Sequence, residues 1–531
     1  MAWNEERARN RIRRFMDNVP EGQIVVEDFR TYLAEARVRK GMLAADAIVE
    51  AALIDIPRNR AITTHGVHVY ANLVDFNSVL IDAGRETEAS HRRALEFLHA
   101  HYSACDTLID EFEIQRVDFH GSRLHAVVLA PEGLQNEGER VRTAIAFAAA
   151  FREMVDRLAR EHPEFATRVR VGIDSGPAVA IDGGKGNERE PLFIGSPANH
   201  AAKLADGDGE GVELSPRAAA AVDRRAQPWE TNVAITKATE LAFLDERITS
   251  TSFSERTADA RLEAAFASVS DEVRSRKDHD YSDAVFHFHH KEPPLKDLDY
   301  KDHPPSRAVR IELASVFADV DKFTAYIDQA IGTGRIAEAV ANLHVIRAEM
   351  AAVLRDDFAG RKVRFIGDCI HGLVAEGDAR QTDQMATMRT AVRAAAGLRS
   401  SFNLCREILP GIADLGLAIG LDYGWTPICR LGLRGQNSVR AAASRATCVS
   451  EAEQRRCDGD ETALGESALE ASPAAIRTVF MHDRKVPNLD VDSADLLIGG
   501  LQAPYVASAP TAEPMRAHVP GADPLRAHDG E

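Results

Sequence analysis

No run of about 18 consecutive apolar residues occurs in this 531-residue sequence, so a membrane-spanning helix is not expected. The opening stretch, MAWNEERARNRIRRFMDNV, is charged throughout and lacks the apolar centre of a signal peptide. Cysteine is scarce: the six are scattered and none forms a CxxC pair, which argues against thiolate metal knuckles and for free thiols in a reducing cytoplasm. Basic residues are the minority, 64 against 82 acidic ones, for a formal net charge of −18. That balance disfavours nonspecific nucleic-acid binding but leaves room for a local basic pocket that takes a nucleotide. What is present is 45% hydrophobic and 27% charged residues, the composition of a soluble globular protein, over a length that calls for two or three domains. The expected setting is cytoplasmic, with no nucleic-acid partner and no membrane partner.

Residues 1–60 carry apolar residues at helical spacing and read as a helical lead-in. Its cluster Arg7, Arg9, Arg11, Arg13 and Arg14 reads as a solvated helix face. Residues 61–225 give the order β-α-β-β-α-β with additions. The 226–306 stretch is enriched in proline and charge and reads as a linker with helical pieces, where His287, His289 and His290 are solvated polar residues. The first pattern then starts again over 307–500. The tail, 501–531, is rich in proline and alanine and reads as disordered.

The second half repeats the first. GIDSG at Gly172–Gly176 matches GLDYG at Gly420–Gly424, YANLVDFN at Tyr70–Asn77 matches FADVDKFT at Phe317–Thr324, and HGSRLHA at His120–Ala126 matches IGDCIHG at Ile366–Gly372. The three offsets lie between 246 and 248 residues, which argues for tandem duplication of one fold. The copies are unequal. Asp319 and Asp368 each follow an apolar run, as acids delivered by buried strands would, and two converging carboxylates suit hard divalent cations and phosphate chemistry. The first copy has Asn72 and Ser122 there, which supply no negative charge. It has instead GSPANHAAKLA, which places Asn199 and Lys203 four residues apart on one helix face. The second copy, aligned on Gly435, has Val439 and Ala443 in those places. One half looks equipped for metals and the other with an amide and a cation, which suggests a single composite site between them.

These motifs resemble the class III nucleotidyl cyclases. FADVDKFT and FIGDCIHG look like the two metal motifs, and GSPANHAAKLA looks like the helix carrying the transition-state Asn and basic residue. The resemblance covers about 61–225 and 307–500. It implies an α+β fold of two ferredoxin-like cyclase domains fused in tandem and paired head to tail as a pseudo-dimer. It also implies that Asp319 and Asp368 bind two divalent cations, Mn²⁺ or Mg²⁺. The amides of Lys322, Phe323 and Thr324 would cradle phosphate oxygens, Asn199 would orient the ribose, and Lys203 would neutralise charge on the α-phosphate. Ala418 stands where the family often has a triphosphate-binding Arg, with Arg430 or Arg434 as replacements. Adenylate cyclases read their base with a Lys and an Asp, and guanylate cyclases with a Glu and a Cys. Here those positions hold Asp118 and Leu192, and Arg116 beside Asp118 is the alternative base reader. Loss of the purine-reading pair implies a different base. In this and in its tandem architecture the chain resembles the bacterial pyrimidine cyclases of Pycsar anti-phage defence. The expected activity is therefore conversion of UTP to 3′,5′-cyclic UMP and pyrophosphate, a second messenger read by a separate effector protein, with the chain acting as a monomer with an intramolecular pair or as a homodimer. The alternatives are a cytidylate or adenylate cyclase, or a non-catalytic cyclase-like nucleotide sensor.

Overall fold

The computed structural model describes residues 3–19, 23–40, 56–184, 191–222, 231–250, 262–271, 273, 288–431 and 439–499. The first sheet is built from β1 (Val25–Asp28), β2 (Arg60–Leu73), β3 (Gln115–His120), β4 (Arg123–Val128), β5 (Val169–Asp182), β6 (Pro191–Ile194), β7 (Gly211–Leu214) and β8 (Val233–Ile235). Its main path runs β3-β4-β2-β5-β7-β8, with β1 on β2 and β6 on β5. The second sheet uses β9 (Phe288–His289), β10 (Ala308–Asp321), β11 (Arg361–Ile366), β12 (Cys369–Val374), β13 (Gly416–Leu431), β14 (Val439–Ala442), β15 (Glu461–Leu464) and β16 (Lys485–Pro487). It repeats the same path, β11-β12-β10-β13-β15-β16. Each half therefore contains the ferredoxin-like order, with the first and last core strands paired antiparallel at the centre and two long helices on one face.

The glycines of the duplicated motif have a packing reason. A β-carbon at Gly172 would run into the Ala201 carbonyl and Leu204, and one at Gly420 into the Ser450 carbonyl and Gln454. Only glycine lets the Ser196–Ala205 and Arg445–Arg455 helices lie this close to the central strands.

The halves exchange arms. Val179, Ile181, Leu192 and Ile194 of the β5–β6 arm are buried in the core formed mainly by the second half's helices. Cys429, Leu431, Val439, Ala441 and Ala443 of the β13–β14 arm are buried in the core of the first half's helices. This reciprocity is the head-to-tail pseudo-dimer.

Several local readings need correction. The lead-in is not only helical: β1 pairs parallel to β2 from Val25↔Arg60 to Asp28↔Thr63. Its arginines are not simply solvated. Arg11 is buried and donates to Glu349 at 2.7 Å and to Asp357 at 3.0 Å, while Arg7 reaches Asp357 at 2.6 Å. One turn apart, these two side chains clamp the Glu5–Asp17 helix onto the second half. The stretch read as a linker begins with structure of the first half: β8 pairs with β7, and Lys237–Ser250 is a helix against Glu137–Glu161. At its far end, Leu295, Leu298 and Tyr300 are buried against β10 and β11. His290 Nε2 lies 3.2 Å from the Asp378 carbonyl, and His289 packs beside His303 with ring centroids 5.3 Å apart. His287 and the tail lie outside the described residues.

Candidate active site

A cavity of about 650 Å³ lies between the halves and is lined by both. Asp319 sits near the end of β10, opposite Ala418 in the register with β13. Asp368 sits in the two-residue turn that joins β11 to β12, where Gly367 takes a left-handed φ of 62°. That turn needs φ > 0, and the glycine supplies it without steric cost. Both carboxylates line the cavity. Both also act on the buried Cys369 thiol: burial pushes it well up, and the negative charges of Asp319 and Asp368 add to the shift. The first half shows how close the two positions come, because there Ser122 Oγ donates to Asn72 Oδ1 at 2.8 Å. Asp321, two residues beyond Asp319, lines the same cavity and was not singled out from sequence.

Lys322 caps the Phe323–Thr333 helix with φ 64°, so the amides of Lys322, Phe323 and Thr324 belong to the orphan donors of its first turn. All three residues line the cavity. The Asn199 helix arrives at this turn from the other half. The Asn199 side-chain amide donates to the Thr324 hydroxyl, and the Ser196 backbone N–H donates to Asp328 Oδ1 at 3.0 Å. Lys203, one turn on, lines the cavity as well. The structure thus brings Asp319, Asp368, the Lys322–Thr324 turn, Asn199 and Lys203 to one cleft.

The second half's counterpart of the Asn199 helix starts later than the Gly435 anchor predicts. Val439–Ala442 is a strand paired with β13, and the helix is Arg445–Arg455. The contacts of Gly172 and Gly420 equate Ala201 with Ser450, which places Cys448 and Ala452 at the Asn199 and Lys203 positions. The conclusion is unchanged, since neither supplies an amide or a cation. A capping box, Ser444 with Thr447, marks the true start and is readable in sequence.

The base-side positions differ from expectation. Asp118 forms an ion pair across the interface with Arg364, 2.9 Å from Oδ1, and His120 Nδ1 lies 3.4 Å from its other oxygen. Burial pushes the Asp118 carboxyl up, but Arg364 and His120 outweigh it and hold it down at about 2. Arg116 is engaged elsewhere: it pairs with Asp106 at 2.8 and 3.0 Å and stacks over Phe119 at 4.2 Å. Leu192 lines the cavity from β6 with 9% exposure and offers no polar atom.

Ala418 is fully buried and supplies no charged side chain at the position opposite Asp319. Arg430 lines the cavity from the β13–β14 arm, paired with Arg440 in the register, and Arg434 lies outside the described residues. A cation the sequence did not single out is Arg455. It reaches Asp206 at 3.6 Å, pairs with Glu451, and feels the charge of Asp319. Arg123 completes this group, 2.5 Å from Asp206 and 4.0 Å from Glu451. Two charges from each half form a half-buried ion cluster that joins them. Burial alone would raise the Glu451 carboxyl, but Arg455, Arg123 and His120 hold it at about 2.

Comparison with known proteins agrees with this geometry. Residues 69–238 match the adenylate and guanylate cyclase catalytic domain family. A uridylate cyclase of a Rhizobium species is 45% identical over 506 residues, 94% of this chain and 96% of that protein. The chain belongs to the class III nucleotidyl cyclases. A uridylate cyclase of Pseudomonas aeruginosa is 34% identical to this cyclase over 93% of the chain and 90% of that protein. The crystal structure of a class III adenylyl cyclase-like ATP-binding protein from Pseudomonas aeruginosa superposes with a TM-score of 0.80 at 34% identity, covering 94% of this chain and all of that one. The catalytic-domain match falls on the first half, which has Asn72 and Ser122 where the second half has Asp319 and Asp368. Among the described residues, no helix of the cyclase is long and apolar enough to cross a membrane.

Proposed function

We propose that this cyclase converts UTP to 3′,5′-cyclic UMP and pyrophosphate in one composite site per chain. The observation that carries the reading is the hydrogen bond from Asn199 to Thr324, which joins the amide-and-cation helix of one half to the carboxylate-bearing corner of the other. The two uridylate cyclases among its relatives support the choice of base.

The donor set fits hard cations. Asp319 and Asp368 offer carboxylate oxygens only, and both line the cavity. Two carboxylates leave coordination positions for water and phosphate oxygens, as magnesium and manganese prefer. Such ions, when bound, would make the ribose 3′-hydroxyl more acidic and offset triphosphate charge. The remaining work falls to the chain. The first-turn amides of Lys322, Phe323 and Thr324 donate to phosphate oxygens at the positive end of the helix. Asn199 orients the ribose so that O3′ lies in line with the α-phosphorus. Lys203 offsets the charge that develops as O3′ attacks and pyrophosphate leaves. Arg455 takes the triphosphate role that Ala418 has given up.

We infer further that the product is a second messenger for anti-phage defence, read by a separate effector protein, as the resemblance to the Pycsar cyclases implies. The test is to incubate the purified protein with Mn²⁺ and each of ATP, GTP, CTP and UTP and resolve the products by mass. Cyclic UMP as the main product is expected. Cyclic AMP from ATP alone would overturn the pyrimidine reading and favour the ATP-binding neighbour as the better guide. No cyclic product from any of them would favour a nucleotide sensor.

A further inference from the structure

The positions that read the base elsewhere in this family cannot do so alone here: Leu192 has no polar atom, and Asp118 is held by Arg364. A different side chain reaches the same corner from the other half. Arg347 lies on the Ile336–Ala352 helix, 4% exposed, and lines the cavity. Its guanidinium lies over the Phe365 ring at 4.2 Å, one residue before the Ile366-Gly367-Asp368 turn. On its other side it abuts Gly183, just past the end of β5, where Asp182 pairs with Pro191 and Ile181 with Leu192. A β-carbon at residue 183 would fall into the guanidinium, 2.7 Å from Cζ. The glycine therefore makes room for the arginine, and the aromatic ring fixes its plane.

We propose that Arg347 is a specificity-determining residue that recognises the 4-oxo group of a uracil base. This rests on the uridylate cyclase reading. A guanidinium only donates hydrogen bonds. It pairs with the O4 acceptor of uracil and is left opposite a donor by the 4-amino group of cytosine or the 6-amino group of adenine. In a dry corner, a donor facing a donor leaves both groups unsatisfied, which penalises the wrong base more than the right contact rewards the correct one. Phe365 adds a flat surface that keeps the fork in one orientation, a role lysine cannot fill.

The experiment measures kcat/KM for UTP and for CTP with Mn²⁺ on the full chain and on Arg347→Gln, Arg347→Lys and Gly183→Ala. The expected result is a loss of at least about tenfold on UTP in Arg347→Gln, with CTP unchanged or improved, so that the UTP-to-CTP ratio collapses. Arg347→Lys restores only part of the ratio. Gly183→Ala, which leaves the arginine in place but displaces its guanidinium, shifts the ratio in the same direction. An unchanged ratio in Arg347→Gln, with both substrates falling together, would reduce Arg347 to a packing role and overturn the assignment while the uridylate reading stands. A wild-type protein that makes no cyclic UMP would fell both, and the wild-type arm alone identifies that case.

Discussion

Asp319 and Asp368 carry two of the few negative charges that the second half turns toward the cleft, and the first half has a neutral amide and a hydroxyl in their places. In the proposed site each of these carboxylates would hold a hard cation, and its charge is lost on substitution by alanine, whereas Asn72 has none to lose. Asp319→Ala and Asp368→Ala are each expected to cut turnover by about 1,000-fold or more, as several kcal/mol of charge stabilisation disappear. Thermal unfolding should confirm that the fold survives. Asn72→Ala is expected to cost less than about threefold, since single contacts outside the reacting centre are worth about 1 kcal/mol or less. An equal loss at Asn72 would mean two working sites. At this scale much was legible in sequence: the two aspartates, Asn199, Lys203 and the Lys322–Thr324 turn all line one cavity, because motif residues sit at strand ends and helix starts that the backbone pattern fixes. Arg364, Arg347 and Arg455 were not legible as part of it. Their roles depend on which partner they meet across an interface, and nothing in local spacing encodes a contact made hundreds of residues away.

Elements set these side chains. The Glu5–Asp17 helix bridges to the second half through Arg11, which burial alone would disfavour as a cation but which Glu349 and Asp357 hold firmly charged. Glu349 also accepts from Ser401 at 2.7 Å, so one buried network ties the lead-in to the two long helices of the second half. Removing one partner strands the others: Arg11→Ala is expected to lower stability by about 3–5 kcal/mol, measured by denaturant unfolding, because an uncompensated charge then stays buried. Loss of less than about 1 kcal/mol would mean the pair is solvated rather than structural. The arginine cluster itself looks like an exposed basic face in sequence. Helical spacing shows that residues 7 and 11 share a side, but not that acids from another segment cover that side. The opposite limit applied at Val439–Ala442. Small and apolar residues there fit a helix or a buried strand equally well, and pairing with β13 decides for the strand.

The whole molecule is a pseudo-two-fold pair whose halves line one cleft together. Each half buries its arm in the other's core, so the halves hold each other in register without a second chain. The ion cluster of Arg123, Asp206, Glu451 and Arg455 adds two charges from each side to the same seam. Duplication was visible in sequence as three motifs recurring at nearly constant offset, and the inequality of the copies pointed to a shared site. The exchange of arms was not visible, because an apolar arm reads the same whether it buries in its own half or in the other. The two halves are proposed to assemble a single composite site. The most direct test is titration calorimetry of the wild-type chain with a UTP analogue that cannot cyclise and Mn²⁺. One nucleotide per chain is predicted, with binding weakened both by Asp319→Ala in the second half and by Asn199→Ala in the first. Two nucleotides per chain, or binding that either substitution leaves untouched, would contradict it.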